Sequence, residues 1–157
     1  MSTHNDIASG EYKSTTSESS LRRLVAELQA ELELYRRKFS LLLRSTSRGV
    51  IVCSRTDVLE CNSAAVELFG ASGEKELMSA NPMALFPLEQ TQGTYSQSQV
   101  CGYANRSVMT GPLVGTYEMR RLNGERFAAE TTITGFTQGE EAIFLVTIRE
   151  ATDPKVS

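Results

Sequence analysis

Residues 116–150 read TYEMRRLNGERFAAETTITGFTQGEEAIFLVTIRE, and this stretch decides the fold. Apolar and polar residues alternate along much of it, the period of a strand with one face buried. TYEMRRL (116–122) reads as one strand. Asn123-Gly124 is the dipeptide most characteristic of a hairpin turn, because Gly takes the positive φ that a Cβ disfavours. ERFAAETTITGF (125–136) reads as a second, longer strand with Phe127, Ala129, Thr131 and Ile133 on one face. TQGEE (137–141) is a polar turn, and AIFLVTIRE (142–150) is a third strand.

Upstream, GVIVCS (49–54) and VLEC (58–61) form a second hairpin around the turn Arg55-Thr56-Asp57. Asn62 then caps a short helix, SAAVELF (63–69), which Gly70 stops in the C′ position. EKELMSA (74–80) is another short helix, halted before Asn81-Pro82. MALFPLE (83–89) is irregular and apolar. QSQVCGYANRSVM (97–109) is helical, weakened by Gly102 and broken by Gly111-Pro112 and Gly115. The sum is an α+β fold: a five-stranded antiparallel sheet with short helices on one face. The inward face of each strand stays open, since a one-residue slip inverts it.

Ahead of the sheet the pattern is helical. Leu21, Val25, Leu28, Leu32, Tyr35, Phe39 and Leu42 are spaced 4, 3, 4, 3, 4, 3. That is a narrow coiled-coil seam, with Val25, Leu32 and Phe39 at a and the others at d. Glu31 falls at g and Arg36 at the following e, so a parallel pair of helices attracts across the seam. Glu33 and Arg37 are an i,i+4 pair in the favourable order. Thr15 with Glu18, or Ser19 and Ser20, are N-cap candidates. A single amphipathic helix packed on its own domain is the competing reading. The expected organisation is a disordered tail over 1–18, a coiled-coil helix over 19–45, a folded domain over 46–153 and a tail over 154–157.

Composition removes several function classes. The net charge is −3 and no basic run exceeds Arg36-Arg37-Lys38, which argues against nucleic-acid binding. Cys53, Cys61 and Cys101 are odd in number and widely spaced, so neither a disulfide framework nor a zinc site is expected. No stretch has the length and apolarity of a signal peptide or a membrane span, and a cytoplasmic location is expected.

Four strings, in order, resemble a PAS domain over about 115 of the 157 residues, from Phe39 to Asp153. GVIVCSRTDVLECNSAAVELFG resembles the family's opening, in which a hairpin runs into Asn and a short helix ending Phe-Gly. LFPLEQTQG is similar to its SPE-x-Q-x-x-G loop. YEMRRLNGERFAAETTIT is similar to its FEWxxRRxDGxxFxAEVxLT hairpin, and VTIREATD resembles its closing VxRDITE. Two departures stand out: Met119 replaces the family's aromatic, and Glu150-Ala151-Thr152 replaces Asp-Ile-Thr. The resemblance implies that Glu150 and Thr152 lie where such domains hand a signal onward, with Glu150 keeping the charge on a longer arm.

Each cofactor makes its own demand on the residues. Haem needs an axial ligand, usually His, and the lone His is His4. Cys101, Met109 and Met119 are weak substitutes. Cys101 is followed by Gly102-Tyr103, without the Asn-Cys-Arg string that the photoactive flavin members carry, and there is no Trp to stack on a flavin. No glycine pattern matches a phosphate loop, and no Ser-His-Asp or Cys-His arrangement can be assembled. Glu140-Glu141 reads as a solvated turn. No cofactor, metal or catalytic residue is expected.

A curved sheet closed by helices forms a cup that either holds a small apolar ligand or is filled by its own side chains. Its candidate lining is Ile51, Cys53, Phe127, Ala129, Thr131, Phe144 and Val146. The functional expectation is a non-catalytic bacterial signalling module: a homodimer through residues 21–42 that passes a conformational change to a protein partner, without nucleic acid or membrane. The alternatives are an N-terminal input segment of a longer histidine kinase or diguanylate cyclase, and a sensor of a small apolar ligand. Asn62 and Gly124 are assigned structural roles, in the hairpin-to-helix turn and in the second hairpin.

Overall fold

The computed structural model describes the backbone of residues 4–87 and 96–152, and side chains over 17–87, 101–102 and 104–152. The chain divides into two compact units, residues 1–42 and 43–157. The first is made by α1, a helix over His4–Ser45. It begins at His4, upstream of residue 19, where the sequence places the start of the helix. Thr15, Ser19 and Ser20 lie inside the helix and not at its start. A nucleated helix gains one hydrogen bond for each residue added, and this segment has no Pro to remove one.

The second unit holds the sheet. Its strands are β1 (Gly49–Cys53), β2 (Val58–Cys61), β3 (Leu113–Arg120), β4 (Arg126–Gln138) and β5 (Glu141–Glu150), in the spatial order β2-β1-β5-β4-β3. All neighbours are antiparallel, and β1 and β5, the first and last strands in sequence, lie side by side. Between β2 and β3 run α2 (Ser63–Phe69), α3 (Glu74–Met78), a 3₁₀ turn at Pro82–Leu85 and α4 (Ser96–Thr110). The 3₁₀ turn replaces an irregular segment, started by Asn81 accepting from the Met83 amide at 2.9 Å. Gly115 does not serve as a helix breaker: α4 ends at Thr110, and Gly115 sits within β3. Residues 88–93 of the loop string and the tail 154–157 fall outside the described residues.

The structure settles the inward face. Phe127, Ala129, Thr131 and Ile133 of β4 are buried, as are Phe144, Val146 and Ile148 of β5 and Ile51 and Cys53 of β1. They pack with Ala65 and Phe69 of α2, Leu77 of α3 and Ala104 of α4 into one core. Phe69 and Phe127 meet edge to face, with ring centroids 5.8 Å apart. Met119 of β3 is only 1% exposed and belongs to the same core.

The β3–β4 hairpin turns on Gly124, at φ +92°. Asn123 does not share the positive φ, so this is not a two-residue type I′ turn, which needs it at both centres. The Gly124 amide donates to the Arg121 carbonyl at 3.0 Å, and the Arg121 amide donates to Glu125 at 2.8 Å. That is a three-residue loop with the glycine in the left-handed position. Asn123 Oδ1 accepts from the Glu125 amide at 2.9 Å. No atom lies within 4 Å of a Cβ built on Gly124, so steric room is not the constraint. Gly124→Val is expected to cost about 1–3 kcal/mol through backbone strain alone. A thermal midpoint equal to the parent's excludes that account of the turn.

Candidate functional site

The site is a cavity of about 230 Å³ between the sheet and α4. Its floor is Cys53 of β1, Ile133 of β4, and Phe144 and Val146 of β5. Register brings these together: Cys53 pairs with Phe144, and Ile133 with Val146. The roof is Cys101, Ala104 and Asn105 of α4, with Pro82, Met83 and Phe86 from the segment around the 3₁₀ turn. Next to the cavity, α4 and the sheet approach closely at Gly135. A Cβ there meets Ser107 Oγ at 2.8 Å and Val108 at 2.8 Å. The glycine thus sets how near α4 sits to β4.

The rim is built by the β1–β2 turn. The pairing of β1 and β2 shifts register between Val52 and Cys53, with Val52 opposite Glu60 and Cys53 opposite Val58. Such a bulge bends a strand and re-aims the residues after it. Ser54, buried, accepts from the Thr56 and Asp57 amides through Oγ, at 3.3 and 3.1 Å. This fixes Arg55 at the turn's tip. Arg55 Nη2 donates to Asn105 Oδ1 at 2.9 Å, bridging the turn to α4 across the cavity mouth. On the roof, Cys101 Sγ lies 4.0 Å from Met83 Sδ.

Cys53 is buried, and loss of solvent raises its thiol to about 11. Burial also raises Cys61, assisted by the nearby Glu74 carboxylate. Both thiols therefore stay protonated at neutral pH, poor as nucleophiles and as metal ligands. Cys101 is exposed. Among the described residues no group of three or more His, Cys, Asp or Glu is placed to hold a metal ion. The His4 side chain lies outside the described side chains. Met109 is exposed and Met119 is buried beside Thr131, so neither joins Cys101 at the cavity.

Of the seven lining candidates, Cys53, Phe144 and Val146 stand on the cavity wall. Ile51, Phe127, Ala129 and Thr131 are buried elsewhere in the core. They share the inward face, but the cavity opens only where α4 crosses the sheet. The α4 side of the cavity was not anticipated, although Cys101, Ala104 and Val108 recur at the 3- and 4-residue spacing of a packed helix face. Arg55 read only as a turn residue, because nothing in its neighbours says what the turn lies beside.

Two further constellations carry the structure. Asn62 is 3% exposed. Its Oδ1 accepts from the Val50 and Ala65 amides, each at 2.9 Å, and its Nδ2 donates to the Leu43 and Arg48 carbonyls, each at 2.9 Å. Capping α2 is thus one of several tasks. Arg121 is the second hub. Its guanidinium donates to the Leu68 carbonyl, pairs with Glu150 at 3.1 Å and stacks 4.3 Å from the Phe127 ring centroid. The adjacent Leu122 amide donates to the Phe69 carbonyl at 3.0 Å. Carbonyls left unpaired at the end of α2 are therefore satisfied by the β3–β4 hairpin.

No protein-family model and no curated protein matches the chain. Solved structures do. The chain is similar to a PAS domain from a two-component sensor histidine kinase, at 15% identity and a TM-score of 0.59, covering 76% of this chain and 98% of that one. It is similar to the PAS domain of an HTR-like protein from Haloarcula marismortui, at 17% identity and 0.59, covering 80% and 98%. The chain has the PAS fold. A third PAS structure, from a LuxR-family transcriptional regulator of Burkholderia thailandensis in complex with ethanol, matches at 14% identity and 0.57, covering 73% and 98%. Within this fold Glu150, at the end of β5, pairs with Arg121 at 3.1 Å. Thr152 is exposed, just past β5.

Proposed function

We propose that this PAS domain is a sensory and dimerisation module of signal transduction, located in the cytoplasm, without a catalytic step of its own. It acts by changing shape and passing that change to a protein partner. The observation that carries the reading is the seam on α1. Leu21, Val25, Leu28, Leu32, Tyr35, Phe39 and Leu42 are each 36–67% exposed in the single chain. A continuous apolar row of this length in water calls for a cover. The 4-3 spacing fits a second copy of the same helix, and the parallel arrangement sets Glu31 against the partner copy's Arg36. Glu33 already engages Arg37 within the helix at 3.3 Å. Among the described residues no helix is long and apolar enough to cross a membrane.

Leu28→Asp combined with Leu32→Asp places four charges in the seam of a pair and leaves the sheet untouched. The expected result is a folded monomer by sedimentation, with the sheet's circular dichroism retained. A dimer in this variant refutes pairing through α1.

The cavity supports a second reading, in which a small apolar molecule is the input. The PAS structure with bound ethanol is a precedent for a small molecule on this fold. An occupant biases signalling only through its differential affinity for the two shapes of the module.

A further inference from the structure

We infer that the cavity takes a small amphiphilic monocarboxylate, its apolar body inside and its carboxylate on Arg55. This rests on the reading of the cavity as a ligand site and specifies the ligand class.

Size sets the first limit. A cavity of about 150 Å³ holds benzene, so about 230 Å³ holds a body of roughly nine heavy atoms. The walls set the second. Phe86, Ile133, Phe144 and Val146 offer no hydrogen bond, and the buried Ser54 hydroxyl already accepts from two amides of its turn. Among the described residues no buried polar side-chain atom lacks a partner. Beyond the Ser54 hydroxyl hydrogen and the weakly bonding Cys53 thiol, a polar group deep in the cavity finds no side chain to bond, which disfavours it. The body must be apolar.

The mouth differs. Arg55 carries five N–H donors, of which one bond is made to Asn105. No described carboxylate pairs with it. The nearby Asp57 carboxylate is engaged by the Thr56 hydroxyl at 2.8 Å. The bond to Asn105 holds the guanidinium at the rim and leaves its remaining donors for a planar two-oxygen acceptor. Guanidinium and carboxylate match in that geometry, and a bond between two ions is about twice as strong as a neutral one. Arg55 is thus the specificity-determining residue, and Asn105 is the residue that positions it.

Octanoate and 1-octanol share a chain and differ in the charged head. Both are titrated calorimetrically into the full chain and into Arg55→Gln, an exposed position whose folding is verified by thermal midpoint. Octanoate is expected to bind the parent at least about tenfold more tightly than octanol, from the strength of a bidentate ionic pair, and Arg55→Gln is expected to erase that ratio. Arg55→Lys retains part of it, as a point charge without the fork. Equal affinities in the parent, or a ratio unchanged in Arg55→Gln, overturn the carboxylate assignment while leaving an apolar site in place. Binding of neither compound overturns the ligand site itself.

Discussion

Asn62→Ala is expected to cost on the order of 3–5 kcal/mol, the sum of a lost cap and newly unsatisfied buried groups. Loss of a side-chain cap accounts for about 1 kcal/mol. The rest comes from what the cap also does. The Val50 amide, buried in β1, loses its side-chain acceptor, and an unsatisfied buried donor costs about 1–3 kcal/mol. The Leu43 and Arg48 carbonyls lose a donor as well, a smaller penalty because water reaches them more readily. Set against a typical domain stability of about 5–15 kcal/mol, this endangers the fold. Equilibrium unfolding in urea measures it, and a loss below about 1 kcal/mol means that the cap acts alone. Asn62→Asp adds a sign test. The acceptor is kept, but a buried charge faces two carbonyls, which raises the folded-state pKa of the new carboxyl. Its deficit should be full at neutral pH and shrink as pH falls toward about 4, the unfolded value.

Arg121→Ala ranks second, at about 2–4 kcal/mol. The ion pair with Glu150 is not the main reason, because Glu150 is half exposed and such pairs contribute about 0–1 kcal/mol. The larger part is the bond to the Leu68 carbonyl, about 1.5–3 kcal/mol for a charged donor, with the stack on Phe127 adding about 1. Glu150→Gln should therefore cost less than about 1 kcal/mol while Arg121→Ala is severe. Comparable losses in the two variants reverse this ranking and make the ion pair dominant. The distinction bears on the signalling role proposed above. Glu150 ends β5 and is held by a residue that also holds α2. A weak, exposed pair is suited to being exchanged, while the remaining bonds of Arg121 keep the hairpin seated on the helix.

The strand pattern of 116–150 was legible because alternation reports a half-buried sheet whatever lies beyond it. The two hairpins followed from Asn123-Gly124 and Arg55-Thr56-Asp57, whose turn chemistry is local. Asn62 was legible only as a cap. Its donors reach backbone carbonyls 14 and 19 residues earlier, and spacing along a chain does not announce such bonds. Arg121 was hidden for the same reason, since its carbonyl acceptor is 53 residues away.

The cavity divides along the same line. Hydrophobic periodicity grouped Phe144 with Val146, and Cys53 with Ile51, on one face of their strands, because each strand's period is a property of its own residues, but which face turns inward came only from the packing. That Ile51, Phe127, Ala129 and Thr131 on the same face pack solid, while their neighbours border open space, depends on where α4 crosses the sheet. The crossing is governed by the close approach at Gly135 and by the bulge beside Cys53. The sequence by itself determined the elements, their order and the helical seam, since these rest on local propensity and period. Only the tertiary structure decided the register of the sheet, the void beneath α4 and the meeting of Arg55 with Asn105, because these arise between segments that are distant in sequence.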